Sequence, residues 1–158
     1  MLNFVLRNIL FPLVPFFSGF LIRYVYIGNF NIGLINPAEL SYSMALLSIL
    51  MIISSTNIDN RDHRDNITII FIFSLIIFLL YFIISHYLQY DMSDCLKTIN
   101  DKAQLSVSSG GKIDNFYIKS LNMQINKSNN MLNNIRFLTI WFAISIIPIS
   151  LIIKYKYL

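Results

Sequence analysis

The sequence predicts an all-α integral membrane protein with four transmembrane helices and an extramembrane helical hairpin between the third and the fourth. The 158 residues are 56% apolar and 15% aromatic with a mean hydropathy of +0.62, outside the usual soluble range. Residues 67–90 read ITIIFIFSLIIFLLYFIISHYLQY with no charge. At ~1.5 Å per residue such a helix crosses a ~30 Å hydrocarbon layer, and its apolar residues run all the way round, as lipid requires. Residues 91–134 are by contrast rich in Asn, Lys, Ser and Asp, yet apolar residues recur there at helical steps.

The first span covers about 5–27. It is too long for a signal-peptide h-region and lacks an Ala-x-Ala site, so it reads as a retained span, with Pro12 and Pro15 bending or loosening its first turns. After a short loop, Asn36-Pro37-Ala38-Glu39 has the form of a helix start, with an Asn cap, proline at the first position and an acid placed to reach back to the cap. The second span, about 37–58, carries Ser41, Ala45 and Ser48 near one face, where small side chains let another helix approach closely. Residues 57–66 form a compact charged loop, short enough to make spans two and three antiparallel neighbours.

In the polar stretch, Leu88, Met92, Cys95, Ile99 and Ala103 recur at three- and four-residue steps. So do Ile113, Tyr117, Leu121, Ile125, Ser128, Leu132 and Ile135, and the breaker cluster Ser108-Ser109-Gly110-Gly111 divides the two series. The expectation is a stalk of two antiparallel helices, roughly 25 to 30 Å long, turning at 108–111. Ile99, Ile113, Tyr117, Leu121 and Ile125 are its candidate partner-docking residues. Residues 135–158 form the fourth helix and a basic tail, with Trp141 at interfacial depth, Pro148 as a kink and Lys154 and Lys156 as headgroup anchors.

Four spans place the N-terminus, the 57–66 loop and the C-terminus on one side, with Arg7, Arg61, Arg64, Lys154 and Lys156. The other side holds Arg23, Lys97, Lys102, Lys112, Lys119, Lys127 and Arg136, a balance that leaves orientation open. The lone Cys95 and the apolar seam of the stalk fit a cytosolic hairpin slightly better, whereas the usual inside N-terminus of bacterial membrane proteins argues the reverse. The excess of Ile, Asn, Phe, Tyr and Lys suggests an AT-rich genome, bacterial or organellar, and the bacterial inner membrane is the expected location.

The same topology brings Arg23, Glu39, His86 and Arg136 to one membrane face. An arginine and a carboxylate at bilayer depth cost least when paired, so an Arg23–Glu39 bridge is the natural expectation, with His86 as a titrating neighbour. The plainer account of the four is a helix cap with snorkelling arginines. His63 lies among Asp59, Asp62 and Asp65, but Arg61 and Arg64 would repel a cation there, so no metal is expected. Gly110-Gly111-Lys112 lacks the spacing of a phosphate loop, and HExxH, CxxC and GxSxG are missing. No enzyme activity, cofactor or nucleic-acid binding is expected, the net charge of +4 being scattered along the chain.

What remains is a protein that works by contact. The expected partners are membrane lipids, further copies of itself as a homo-oligomer, and a soluble or membrane protein bound at the hairpin. A membrane effector of a bacterial phage-defence system, perturbing permeability, fits this pattern. So do an immunity protein against a pore-forming toxin and a small structural subunit of a larger membrane complex, organellar ones included. Small four-span phage-exclusion and bacteriocin-immunity proteins share the coarse layout, and no residue motif ties the chain to them.

Overall fold

A computed structural model describes residues 2–109 and 115–157, and every described regular element is helical. The order is a short helix α1 (Leu2–Val5), a π-helical turn (Leu6–Leu10), α2 (Phe11–Ile27), a 3-10 turn (Ile32–Leu34), α3 (Pro37–Ser55), α4 (Arg61–Ser109) and α5 (Asn115–Tyr157). Four of these helical stretches are long and apolar enough to cross a membrane.

The entry to α2 is shaped by its prolines. Pro12 has no N–H to return to the Asn8 carbonyl, and the Phe11 N–H bonds the Leu6 carbonyl five residues back, which widens the turn into a π-helix. α2 ends at Gly28, whose φ of +74° is the left-handed conformation that glycine adopts without penalty; its N–H closes on the Tyr24 carbonyl at 2.8 Å. α3 starts as expected, with the Asn36 side chain accepting from the Ala38 N–H at 2.9 Å and proline at the first position.

Two boundaries differ from the sequence expectation. α3 stops at Ser55, and Arg61–Asn66, expected as loop, form the first turns of α4. Asn60 is the reason: its side chain accepts from the His63 N–H at 3.2 Å and its carbonyl from the Arg64 N–H at 3.0 Å, while Asp62 favours the positive helix start. The expected stalk turn at 108–111 lies mostly outside the described residues, as does Ile113; α4 itself continues through Ser109.

α3 is the central helix, packed against α2, α4 and α5. Met44, Leu47 and Met51 of α3 and Phe71 and Phe78 of α4 are fully enclosed; Ile9 and Leu13 close the core from one side, Ala143, Ile146 and Ile153 of α5 from the other. α5 runs antiparallel to α4: Phe142 meets Phe78 and Tyr81, Leu132 and Ile135 pack with Leu88, Gln124 and Ser128 bond Asp91, and Tyr117 lies under Lys102.

Outward, the helices carry an apolar coat. Phe11, Leu21, Ile22 and Val25 of α2, Ile69, Phe73 and Ile83 of α4, and Trp141, Ile144 and Ile152 of α5 are all exposed. A soluble monomer does not leave apolar surface on this scale uncovered, since contiguous patches beyond a few hundred Å² mark contact with lipid or protein.

Candidate functional site

The polar residues gather at the two ends of the bundle. At the first, the loop between α2 and α3 is tied down by side chains from four helices. Arg23, one turn before the end of α2, donates Nε to the Leu34 carbonyl at 2.7 Å and grips Glu39 of α3 with both terminal nitrogens, at 2.8 Å to Oε1 and 2.5 Å to Oε2. The two side chains are 28% and 30% exposed, so this bidentate pair is partly shielded and stronger than an ordinary surface pair. Arg136 of α5 donates Nε to the next carbonyl, that of Ile35, at 2.8 Å, and Nη1 to Asn133 Oδ1 at 2.5 Å. Gln89 of α4 donates to the side-chain oxygen of the capping Asn36 at 2.9 Å.

The expected Arg23–Glu39 bridge is therefore formed, and Arg136 joins the same loop. Glu39 does not reach back as a capping-box partner, because Arg23 holds its carboxylate. His86 is not drawn in: it is exposed, with its ring 4.6 Å from that of Phe82. Two members were not anticipated. Gln89 lies in the uncharged run 67–90 and is its one amide, at the polar end. Gly19 sits one turn before Arg23, and a Cβ there would lie 2.2 Å from Glu39 Oε2 and 2.6 Å from its carboxyl carbon. The missing side chain is the space in which the carboxylate lies.

Ser41, Ala45 and Ser48 are all enclosed within the chain. α3 places serines at 41, 48 and 55, two turns apart, and each meets a hydroxyl of a neighbouring helix: Thr139 at 3.4 Å, Ser74 at 3.2 Å and Thr68 at 2.8 Å. The small-residue face thus serves packing within the chain, where small side chains let the helices approach closely and pair their hydroxyls.

The periodic seam of the stalk is likewise used first within the chain. Leu88, Cys95, Ser128, Leu132 and Ile135 are buried, and Ile99, Leu121 and Ile125 are half-buried. Tyr117 stays exposed, and the outward apolar residues of the same helices are Leu96, Leu105, Met123 and Met131. Burial, then the carboxylates of Asp91 and Asp94, push the Cys95 thiol above its ordinary range, which makes it a poor nucleophile.

At the other end, His63 stacks against Tyr157 at 4.9 Å, and Lys154 lies 5.0 Å over the Phe4 ring, so the start of the chain, the 56–60 loop and the end of α5 do share one side. Arg61 and Arg64 both lean on Asp65, at 3.7 and 3.5 Å, and no group of three or more metal-ligating side chains occurs among the described residues. No protein-family model, no curated protein and no solved structure matches this chain.

Proposed function

We propose that the chain is a non-enzymatic multi-pass protein of the bacterial inner membrane that self-associates in the bilayer and docks a soluble partner on the polar part of its α4–α5 pair. The observation that carries this reading is the division of the molecule into two surfaces. Around α3 the outward residues are apolar on every long helix, and polar residues collect where α3 begins and ends. α3 has 19 residues, about 28 Å of helix, close to the ~30 Å thickness of a hydrocarbon layer.

α4 and α5, at 49 and 43 residues, continue well past that band as a polar antiparallel pair with isolated apolar residues facing out. Its own seam is already used for pairing. Leu96, Leu105 and Met123 are therefore the contacts such a partner would take, beside Tyr117. Self-association would use α2, which packs chiefly on α3 and leaves Leu21, Ile22 and Val25 uncovered, because the small-residue face of α3 is spent internally.

Within this class the chain suits a phage-defence effector that raises membrane permeability when its partner signals. Induced expression with a potential-sensitive dye, combined with disulfide cross-linking of a Val25→Cys variant, tests it. Collapse of the membrane potential together with α2–α2 cross-links supports the effector. A harmless protein that protects cells from a pore-forming toxin, or one that aggregates when made alone, would replace it with an immunity protein or a subunit of a larger complex.

A further inference from the structure

We propose that the cleft at the end of the bundle opposite the Arg23–Glu39 bridge is a binding site for a phosphate-bearing anion, in a membrane the headgroup of an anionic phospholipid. The cleft has a volume of about 290 Å³, the lower end of the range for small-ligand pockets and suited to a headgroup more than to a whole lipid. Its polar wall consists of Arg7, Asn8, Ser54, Asn57 and Lys154, with two cations and, among the described residues, no carboxylate. Neither cation makes an ion pair among the described residues; Lys154 only covers the Phe4 ring.

Asn8 gives the second, independent indication. It is 7% exposed, it lines the cleft, and its side-chain amide has no hydrogen-bond partner among the described residues. The polar atoms of that amide are not sealed off but open onto the cleft, so its N–H is free to donate to a ligand oxygen there. Arg7 and Asn8 both lie on the π-helical turn forced by Pro12, a distortion found often at functional sites.

One feature opposes an anion: the C-terminal, negative end of α3 borders the cleft. The Ile53 and Ser54 carbonyls there accept from the N–H groups of Thr56 and Asn57, which weakens that field. The remaining wall, Phe4, Leu50 and Ile53, is apolar and leads outward, Ile53 being 56% exposed, so acyl chains leaving the cleft would join the apolar coat. The lipid as source of the phosphate rests on the membrane reading; the anion site does not.

The test uses the full chain in neutral detergent, with the thermal midpoint read after adding short-chain phosphatidylglycerol, short-chain phosphatidylcholine or inorganic phosphate. Near a hundredfold excess over Kd, phosphatidylglycerol should raise the midpoint by about 5 to 10 °C and phosphatidylcholine should not. The Arg7→Gln/Lys154→Gln double variant and the isosteric Asn8→Asp should abolish the shift, whereas Lys156→Gln, which removes a charge outside the cleft, should keep it. An equal shift with inorganic phosphate supports the site with free phosphate as its source. Equal shifts from both lipids, or a shift that survives in Asn8→Asp, overturn the proposal. Release of the chain from membranes by alkaline carbonate would sink the membrane reading and leave the phosphate arm to decide the site.

Discussion

Replacing Gly19 by alanine pits two effects of opposite sign against each other. Inside a helix the change favours folding by about 1 kcal/mol, because glycine has more backbone freedom to lose. At this position the added methyl would lie 2.2, 2.6 and 2.8 Å from three carboxyl atoms of Glu39, all far below ordinary contact. A free glutamate would swing aside, but this one is fixed by both terminal nitrogens of Arg23, which is itself tied to the Leu34 carbonyl. Making room for the methyl therefore means giving up the bridge. Breaking a fully buried pair costs about 3 to 5 kcal/mol; with the partners 28% and 30% exposed, about 2 to 3 kcal/mol is the appropriate figure. The net is a loss of about 1 to 2 kcal/mol, or about 2 to 8 °C in the midpoint for a chain of this size.

The protein carries its own reporter for this measurement. Cys95 is the only cysteine and is 5% exposed, so a fluorogenic maleimide reacts as the chain opens. On a Glu39→Ala background the obstacle is gone, and Gly19→Ala should then raise the midpoint, giving a sign reversal between the two backgrounds. A Gly19→Ala chain as stable as the parent, or an equal effect in both backgrounds, would show that the carboxylate is not locked over Gly19.

The hydroxyl pairs of α3 should matter by volume more than by hydrogen bonding. Ser48→Ala is expected within about 1 kcal/mol of the parent, since buried hydroxyl pairs between membrane helices contribute little, whereas Ser48→Leu overfills a fully enclosed site and should cost about 1 to 3 kcal/mol; equal midpoints for the two would refute the close-packing account. In the folded protein Cys95 should be alkylated more slowly than an exposed thiol at neutral pH and speed up as pH rises, because a raised pKa keeps the thiolate scarce until more alkaline conditions. Asp94→Asn removes one of the charges that raise it and should speed the reaction at fixed pH, while no change would assign the slow rate to burial and Asp91.

The helices were legible because their apolar runs are long and unbroken and a polar stretch leaves a clear contrast beside them. The cap at Asn36 and the Arg23–Glu39 pair were legible because few residues can satisfy a helix start, and a charge flanked by apolar residues needs a partner. Boundaries were less so. The stretch 61–66 looks like loop by charge, yet the Asn60 cap recruits it into α4, and local hydrogen bonding outweighs composition there. Gly19 and Gln89 were hidden because their roles depend on what faces them across the bundle. A glycine in a span has many uses, and only the Glu39 carboxylate beside it singles out one. The serine spacing of 41, 48 and 55 was visible in part, but its direction, into the subunit instead of toward a second copy, is a property of how α3 is surrounded.

That direction bears on how the protein can act. Small-residue faces are the usual means by which membrane helices associate, and here the face is occupied by α4 and α5 of the same chain. The bundle is therefore self-sufficient around α3, and α2 is its least integrated long helix, anchored by the Arg23–Glu39 bridge at one end and, at the other, by Leu13 together with Ile9 of the preceding π-helical turn. A polar clasp thus holds one apolar helix on a bundle that is otherwise closed around α3. If Arg23–Glu39 opens, α2 loses its tie to the α3 start while the α3–α4–α5 packing persists up to a lowered midpoint, so at temperatures well below that midpoint a Glu39→Gln chain should keep Cys95 protected while Val25→Cys cross-linking changes. Loss of Cys95 protection in that variant would mean that the bridge supports the whole bundle, and that α2 is no separable element.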